Sequence, residues 1–257
     1  MRTCLAAIAA AAAIYSTAAQ ADFVALTGND MLAMIDAKSG KVTGKTRIDG
    51  LGPVLGIDVR PADGMLYALA ADGTIATVDA KTGKATVKSK LDTAPPSGVK
   101  VIVDFNPVAD RLRIIGADGT NLRANVDDGK VTKDGTLKFA DGDAANGKSP
   151  MIVAGGYTNS MKGAKETTLY DIDGTLGGLF RQAPPNDGIL NTIGALGVDA
   201  KSASFDIRSD GQGGNTAMLV SGKMLYSVDL ASGKTAAGKT LTGLPGDVSD
   251  IAIMPAM

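Results

Sequence analysis

Met31-Leu-Ala-Met-Ile-Asp-Ala-Lys-Ser-Gly-Lys41, Thr74-Ile-Ala-Thr-Val-Asp-Ala-Lys-Thr-Gly-Lys84 and Met224-Leu-Tyr-Ser-Val-Asp-Leu-Ala-Ser-Gly-Lys234 are one phrase written three times. Each is a short apolar run of the kind that makes a half-buried strand, closed by the turn signal Asp-x-x-Ser/Thr-Gly-Lys. A side-chain carboxylate capping the turn explains that signal better than an ion loop does. Asn121 to Lys130 is a copy one residue shorter. A second phrase precedes the copies at a fixed distance: Gly56-Ile-Asp-Val-Arg-Pro61 then Asp63-Gly-Met-Leu-Tyr-Ala-Leu69, and Val103-Asp-Phe-Asn-Pro107 then Asp110-Arg-Leu-Arg-Ile-Ile115. Asp-Gly pairs, which tolerate the positive φ of tight hairpins, punctuate the rest, as at Asp63, Asp72, Asp118 and Asp128. Self-similarity at roughly 40 to 50 residues, with four short strands per unit, is the signature of propeller blades.

The innermost strand of each unit falls near residues 54–60, 100–106, 150–156 and 202–208, and a fifth copy, Asp250 to Pro255, ends the chain with no partners after it. The N-terminus supplies what that copy lacks, because Phe23 to Leu26, Met31 to Asp36 and a strand near Lys45 read as three outer strands without an inner one. The spacing therefore predicts an all-β, five-bladed β-propeller of four-stranded blades, closed by the C-terminal strand pairing with the N-terminal blade so that no sheet edge stays open. Two stacked sheets joined by long loops is the competing architecture.

Residues 1–21 have the form of a signal peptide. A short n-region with Arg2 precedes an Ala-rich apolar run to Tyr15, and Ala19-Gln20-Ala21 offers a cleavage site. Residues 22–257 are then one propeller domain, periplasmic or secreted. Cys4, the single cysteine, lies in the leader without a lipobox-like Leu-x-x before it, so the domain must hold by its core alone. Scattered lysines and a formal charge of −1 give no electrostatic footprint for nucleic acid, and no later apolar run approaches a membrane span. A monomer is expected.

Histidine is absent and Glu166 is the only glutamate. A Ser-His-Asp triad, a His-ligated metal and a thiolate nucleophile are excluded by inventory. A quinone or electron-transfer cofactor is disfavoured by the further absence of tryptophan.

Strand alternation puts Asp58 with Arg60, Asp104 with Asn106, and Asp206 with Arg208 on one face, and that face of the inner strand lines the channel. Asp250 joins them only if its register is shifted by two residues. Two readings follow: a ring of carboxylates holding a hard cation such as calcium (Asp58, Asp104, Asp206) or a small polar ligand, and Asp–Arg pairs that merely fasten the blades. The fourth blade breaks the pattern with Ala154, Gly155 and Gly156. Its long polar loops, 139–149 and 157–167, and the turn Gln182-Ala-Pro-Pro-Asn-Asp-Gly188 offer Tyr157, Thr158, Asn159, Gln182 and Asn186 as uncharged ligand-binding groups. Asp171-Ile-Asp-Gly174 is only a fragment of a calcium loop, because its twelfth position is Gln182 and no helices flank it.

Asp104-Phe-Asn-Pro, Asp110-Arg111-Leu-Arg, Asn121-Leu-Arg123, Tyr157-Thr-Asn, Thr168-Leu-Tyr-Asp-Ile-Asp173, Gln182-x-Pro-Pro-Asn186 and Phe205-Asp-Ile together resemble a family of bacterial exported proteins known as domain of unknown function 4394. The resemblance implies a propeller-like fold and export, and brings no activity and no catalytic residue. Arg111 and Arg123 join the candidate ligand-binding residues through these motifs. Two functions are carried forward: a binding or interaction module for a small polar ligand, ion or protein partner, and a metal-dependent hydrolase or lactonase with a divalent cation in the channel.

Overall fold

A computed structural model describes residues 23–236 and 238–255. The segment read as a signal peptide lies outside them. The first blade contributes β1 (Phe23–Thr27), β2 (Met31–Asp36) and β3 (Lys41–Arg47). The second follows with β4 (Val54–Val59), β5 (Leu66–Ala70), β6 (Thr74–Val78) and β7 (Ala85–Lys90). The third has β8 (Val101–Asn106), β9 (Arg111–Gly116), β10 (Asn121–Ala124) and β11 (Val131–Lys133). In the fourth, β12 (Lys138–Phe139), β13 (Ile152–Tyr157), β14 (Leu169–Asp173), β15 (Gly178–Gln182) and β16 (Ile189–Ala195) make five strands, because β12 adds in parallel to the outer edge of β16. The fifth comprises β17 (Ser204–Ser209), β18 (Asn215–Ser221), β19 (Met224–Val228) and β20 (Lys239–Thr240). Last comes β21 (Val248–Ile253), which pairs antiparallel with β1 and completes the first blade.

The order β21-β1-β2-β3 is the latch expected from the sequence, and the ring closes as a five-bladed β-propeller. The inner strands touch in a cycle, β4 to β8, β8 to β13, β13 to β17, β17 to β21 and β21 to β4. Each gap between blades holds its own buried apolar cluster. Burial therefore falls outward along each blade: β1 is buried throughout, whereas β3 alternates between exposed and half-buried. The Asp-x-x-Ser/Thr-Gly-Lys phrases are capped turns, with Asp79 Oδ1 accepting from the amides of Lys81 and Thr82 and Asp229 Oδ1 from that of Ala231.

The latch is integral to the core, since Ile251 of β21 packs among Phe23, Ile35 and Val220. Ile251→Ala should therefore lower the unfolding free energy by about 2–5 kcal/mol in urea titrations. A loss under about 1 kcal/mol would mean that β21 is only an accessory strand.

Candidate functional site

The inner strand of a propeller turns some backbone N–H groups toward the next blade, where no ladder partner waits, and a buried amide without an acceptor is costly. Four aspartates answer them. Asp58 Oδ2 accepts from the Phe105 amide at 2.6 Å, and Asp104 Oδ1 from Tyr157 at 3.0 Å. Asp206 Oδ2 accepts from Ile253 at 2.6 Å, and Asp250 Oδ2 from Ile57 at 2.9 Å. Each carboxylate on one inner strand thus holds the strand of the following blade. Asp250 does so from a position two residues earlier in its strand. The space it fills is left by Gly56, where a Cβ would stand 2.9 Å from Asp250 Oδ2.

All four are buried at 5–6% exposure, so the centre of the ring holds four carboxyl groups largely withdrawn from solvent. Oxygens of Asp58, Asp104 and Asp206 lie within 4.8 Å of one another. Burial first, and the Asp206 charge second, raise the Asp58 carboxyl well above the usual range; burial and then the Asp58 charge do the same to Asp104. Asp206 is pushed up to about 6 by burial against the opposing amides of Ile253 and Ile207, and Asp250 to about 7 against that of Ile57. The charge of Lys100 acts on Asp250 and lowers its pKa. Lys100 Nζ donates to the Ala203 carbonyl, and burial lowers the pKa of the lysine while the Asp250 charge opposes the shift.

A cavity of about 510 Å³ opens at the end of the ring where β4, β17 and β21 finish. Asp58 and Asp206 lie at its floor; Arg208, Met161, Lys162 and Met254 are in its walls. Asp104 does not line the cavity, but a carboxylate oxygen of it lies within 4.8 Å of oxygens of both.

The other expected residues are distributed differently. Arg60 leaves the channel and bridges to the third blade, with Nε and Nη2 on Asp110 at 2.8 and 2.6 Å and Nη2 on Asp127 at 2.8 Å. Those carboxylates hold its pKa well above the ordinary arginine value. Strand alternation predicts that Arg60 joins Asp58 in the channel, but its long side chain follows the partner charges on the neighbouring blade. Asn106 Oδ1 caps its own turn through the Val108 and Ala109 amides. Arg111 donates to the carbonyls of Ala109 and Asp110, and Arg123 is held by Asp134. Asn159 exchanges hydrogen bonds with Asn215.

Tyr157 and Asn186, which the sequence offers as ligand groups, instead bind a buried arginine that is not among the candidates read from the sequence. Arg113 is 2% exposed and donates to Tyr157 Oη at 3.1 Å, Asn121 Oδ1 at 2.8 Å and Asn186 Oδ1 at 2.9 Å, and pairs with Asp134 at 2.5 Å. Gln182 Nε2 donates to the Pro185 carbonyl beside it. The available signal was an arginine inside the apolar strand Leu112-Arg113-Ile114-Ile115, because an arginine so placed is buried only when paired.

The break at Gly155 has a similar cause. A Cβ there would stand 2.6 Å from Asp171 Oδ1 and 2.9 Å from Ile102, so the glycine makes room for the Asp171 carboxyl between the third and fourth blades. Neither Asp171 oxygen has a hydrogen-bond partner among the described residues. Burial pushes the group to about 8, with Arg113 opposing. Asp173, by contrast, accepts from the amides of Met151, Thr175 and Leu176, so the Asp171-Ile-Asp-Gly174 fragment is a strand with a capped turn.

Fold and channel together define a five-bladed β-propeller with a carboxylate-lined centre. A family model described as "Domain of unknown function (DUF4394)" matches residues 15–252, and the chain belongs to that family. Comparison with curated proteins gives no match. Among solved structures, a protein of unknown function from Bacteroides thetaiotaomicron aligns at 15% identity and a TM-score of 0.51, over 84% of this chain and 55% of that one. A protein of unknown function from Bacteroides caccae aligns at 12% identity and a TM-score of 0.44, over 88% of this chain and 75% of that one. An auxiliary nutrient binding protein from Bacteroides thetaiotaomicron aligns at 15% identity and a TM-score of 0.46, over 77% of this chain and 53% of that one. These likenesses concern the fold.

Asp171 supplies a stability test. Its folded-state pKa of about 8 exceeds the ordinary aspartate value of 3.8, so between those limits the folded chain holds a proton that the unfolded chain has released. That contribution makes stability fall as pH rises through this window. Asp171→Asn should flatten the fall, raising Tm at pH near 8 and leaving it nearly unchanged near pH 4, with about 2–4 °C expected for each kcal/mol recovered. Equal shifts at both pH values would contradict the assignment.

Proposed function

We propose that the chain is an exported binding module that takes a small polar ligand into the cavity at the mouth of the central channel. The observation that carries this reading is the placement of Asp58 and Asp206, buried and close to Asp104, at the floor of a cavity of about 510 Å³. That volume lies in the range of small-molecule sites, and convergent buried polar groups are what orients a ligand in one. The lack of histidine, and of any cysteine besides Cys4, removes the commonest base and the commonest nucleophile pairings, which favours binding over catalysis.

A second reading rests on the oxygen spacing. Calcium binds oxygen at about 2.3–2.6 Å, so two ligands facing each other across the ion stand about 5 Å apart. Asp58, Asp104 and Asp206, within 4.8 Å of one another, fit such a set. A cation held there would also polarise a carbonyl in the cavity, which is the basis of the hydrolase or lactonase alternative.

A thermal-shift screen of ions, sugars, amino acids and cell-wall fragments, with and without chelator, separates these. A ligand at 100 times its Kd should stabilise the protein by about 2.7 kcal/mol, and Asp206→Asn should remove the shift. Stabilisation by calcium that chelator abolishes favours the cation, stabilisation indifferent to chelator favours the direct ligand, and no response to any compound would refute both.

A further inference from the structure

Arg60 and Arg208 occupy the same place in two blades, each two residues after a channel aspartate. Their surroundings differ. Arg60 is consumed by Asp110 and Asp127 of the following blade. Arg208 makes no hydrogen bond or ion pair among the described residues, and its Nε is buried in the wall of the cavity without a partner. A buried donor left unanswered costs more than a made hydrogen bond returns, so the position calls for an acceptor from outside the chain.

The floor makes the opposite demand. Asp58 accepts one amide on each oxygen, from Val59 and Phe105, and Asp206 accepts one on each from Ile207 and Ile253. A carboxylate oxygen has two lone pairs, so each of these four oxygens retains capacity for one further donor. The deep end of the cavity therefore calls for a donor, best a cation. At the mouth Lys162 adds a second positive charge to that of Arg208. Asp210 also lines the mouth, its Oδ1 taken by the amides of Gln212 and Gly214, so two cations there face one carboxylate and the charge of that end stays positive. Between the two ends the walls are apolar, with Ile207, Met161, Met254 and Pro255.

We propose that the ligand is a small zwitterion of the α-amino acid type, its ammonium group on the Asp58–Asp206 floor, its carboxylate against Arg208 and Lys162, and its side chain along the methionine-lined wall. The proposal rests on the binding reading above and names the ligand class for that site. Other classes fit worse. A phosphate or dicarboxylate would meet the floor with like charge, an uncharged sugar would leave both poles unpaired, and a bare metal ion would use the floor and leave Arg208 unanswered. Opposed poles also set orientation, because a reversed ligand would face repulsion at both ends.

The experiment is isothermal titration of the full mature chain with common L-α-amino acids, and with the N-acetyl and amide derivatives of the best binder. An amino acid should bind, and removing either its ammonium charge or its carboxylate should weaken binding by about tenfold or more. Arg208→Ala, at a half-buried wall position, should weaken the amino acid by about the same factor and the amide far less, while circular dichroism and Tm confirm the fold. Lys162→Ala, at the exposed rim, provides a second variant that cannot disturb the core. Binding of calcium, phosphate or a sugar that depends on Asp206, with no binding of amino acids, would overturn the zwitterion while leaving the site intact. Binding of the N-acetyl derivative as tightly as the parent would also overturn it. Silence of every compound would overturn both the ligand class and the site.

Discussion

The structure depends on one repeated interaction, an inner-strand aspartate accepting the amide N–H of the next blade's inner strand. Apolar clusters fill every gap between blades, but hydrophobic contact is non-directional and does not set the axial offset of one blade against the next. A carboxylate reaching a particular amide does. Asp58, Asp104, Asp206 and Asp250 each fix one of the five junctions, and the consequence is a cluster of acids at the axis. Burial raises their pKa values, with mutual charge adding to it at Asp58, Asp104 and Asp250, so the folded state loses this contribution to its stability as pH climbs from the ordinary carboxylate range toward neutrality. A ligand cation at the floor offsets that penalty. Closure of the ring and capacity to bind thus arise from the same side chains.

The junction without such an aspartate lies between the fourth and fifth blades, and the fourth blade is irregular in other ways. At its inner strand the sequence places Ala154, Gly155 and Gly156, and the glycine at 155 yields its space to Asp171 from the adjacent strand. Beside Asp171 lies Arg113, which gathers Tyr157, Asn121, Asp134 and Asn186 into a buried polar network that ties the third and fourth blades together. The same blade sends Ser160, Met161 and Lys162 over the mouth of the channel. Its polarity serves two ends: a buried side that holds the neighbouring blade and a loop side that reaches the cavity.

Much of this was legible in the chain itself. Short strands with strong turns leave little freedom of register, so the three copies of the Asp-x-x-Ser/Thr-Gly-Lys phrase located the third strands, and the C-terminal copy without followers located the latch. The convergence of Asp58, Asp104 and Asp206 followed from the pleat alone. Side-chain reach was not legible. Arg60 and Arg208 read alike, and only the carboxylates of the neighbouring blade, distant in sequence, separate a structural arginine from one that faces the cavity. Tyr157 and Asn186 read as loop groups because their partner, Arg113, is buried from a different blade. The two-residue displacement of Asp250 depends on the Gly56 gap across a junction between the chain's two ends.

The axial carboxyls differ from the surface ones because ring closure buries them close together. Carbon-13 NMR of the aspartate carboxyls across a pH titration tests it most directly. The account predicts a separate set of signals with midpoints near neutrality, Asp206 at about 6 and Asp250 at about 7, shifting downward when a cationic group occupies the floor. Aspartates that all titrate around the ordinary value of about 4 would contradict it.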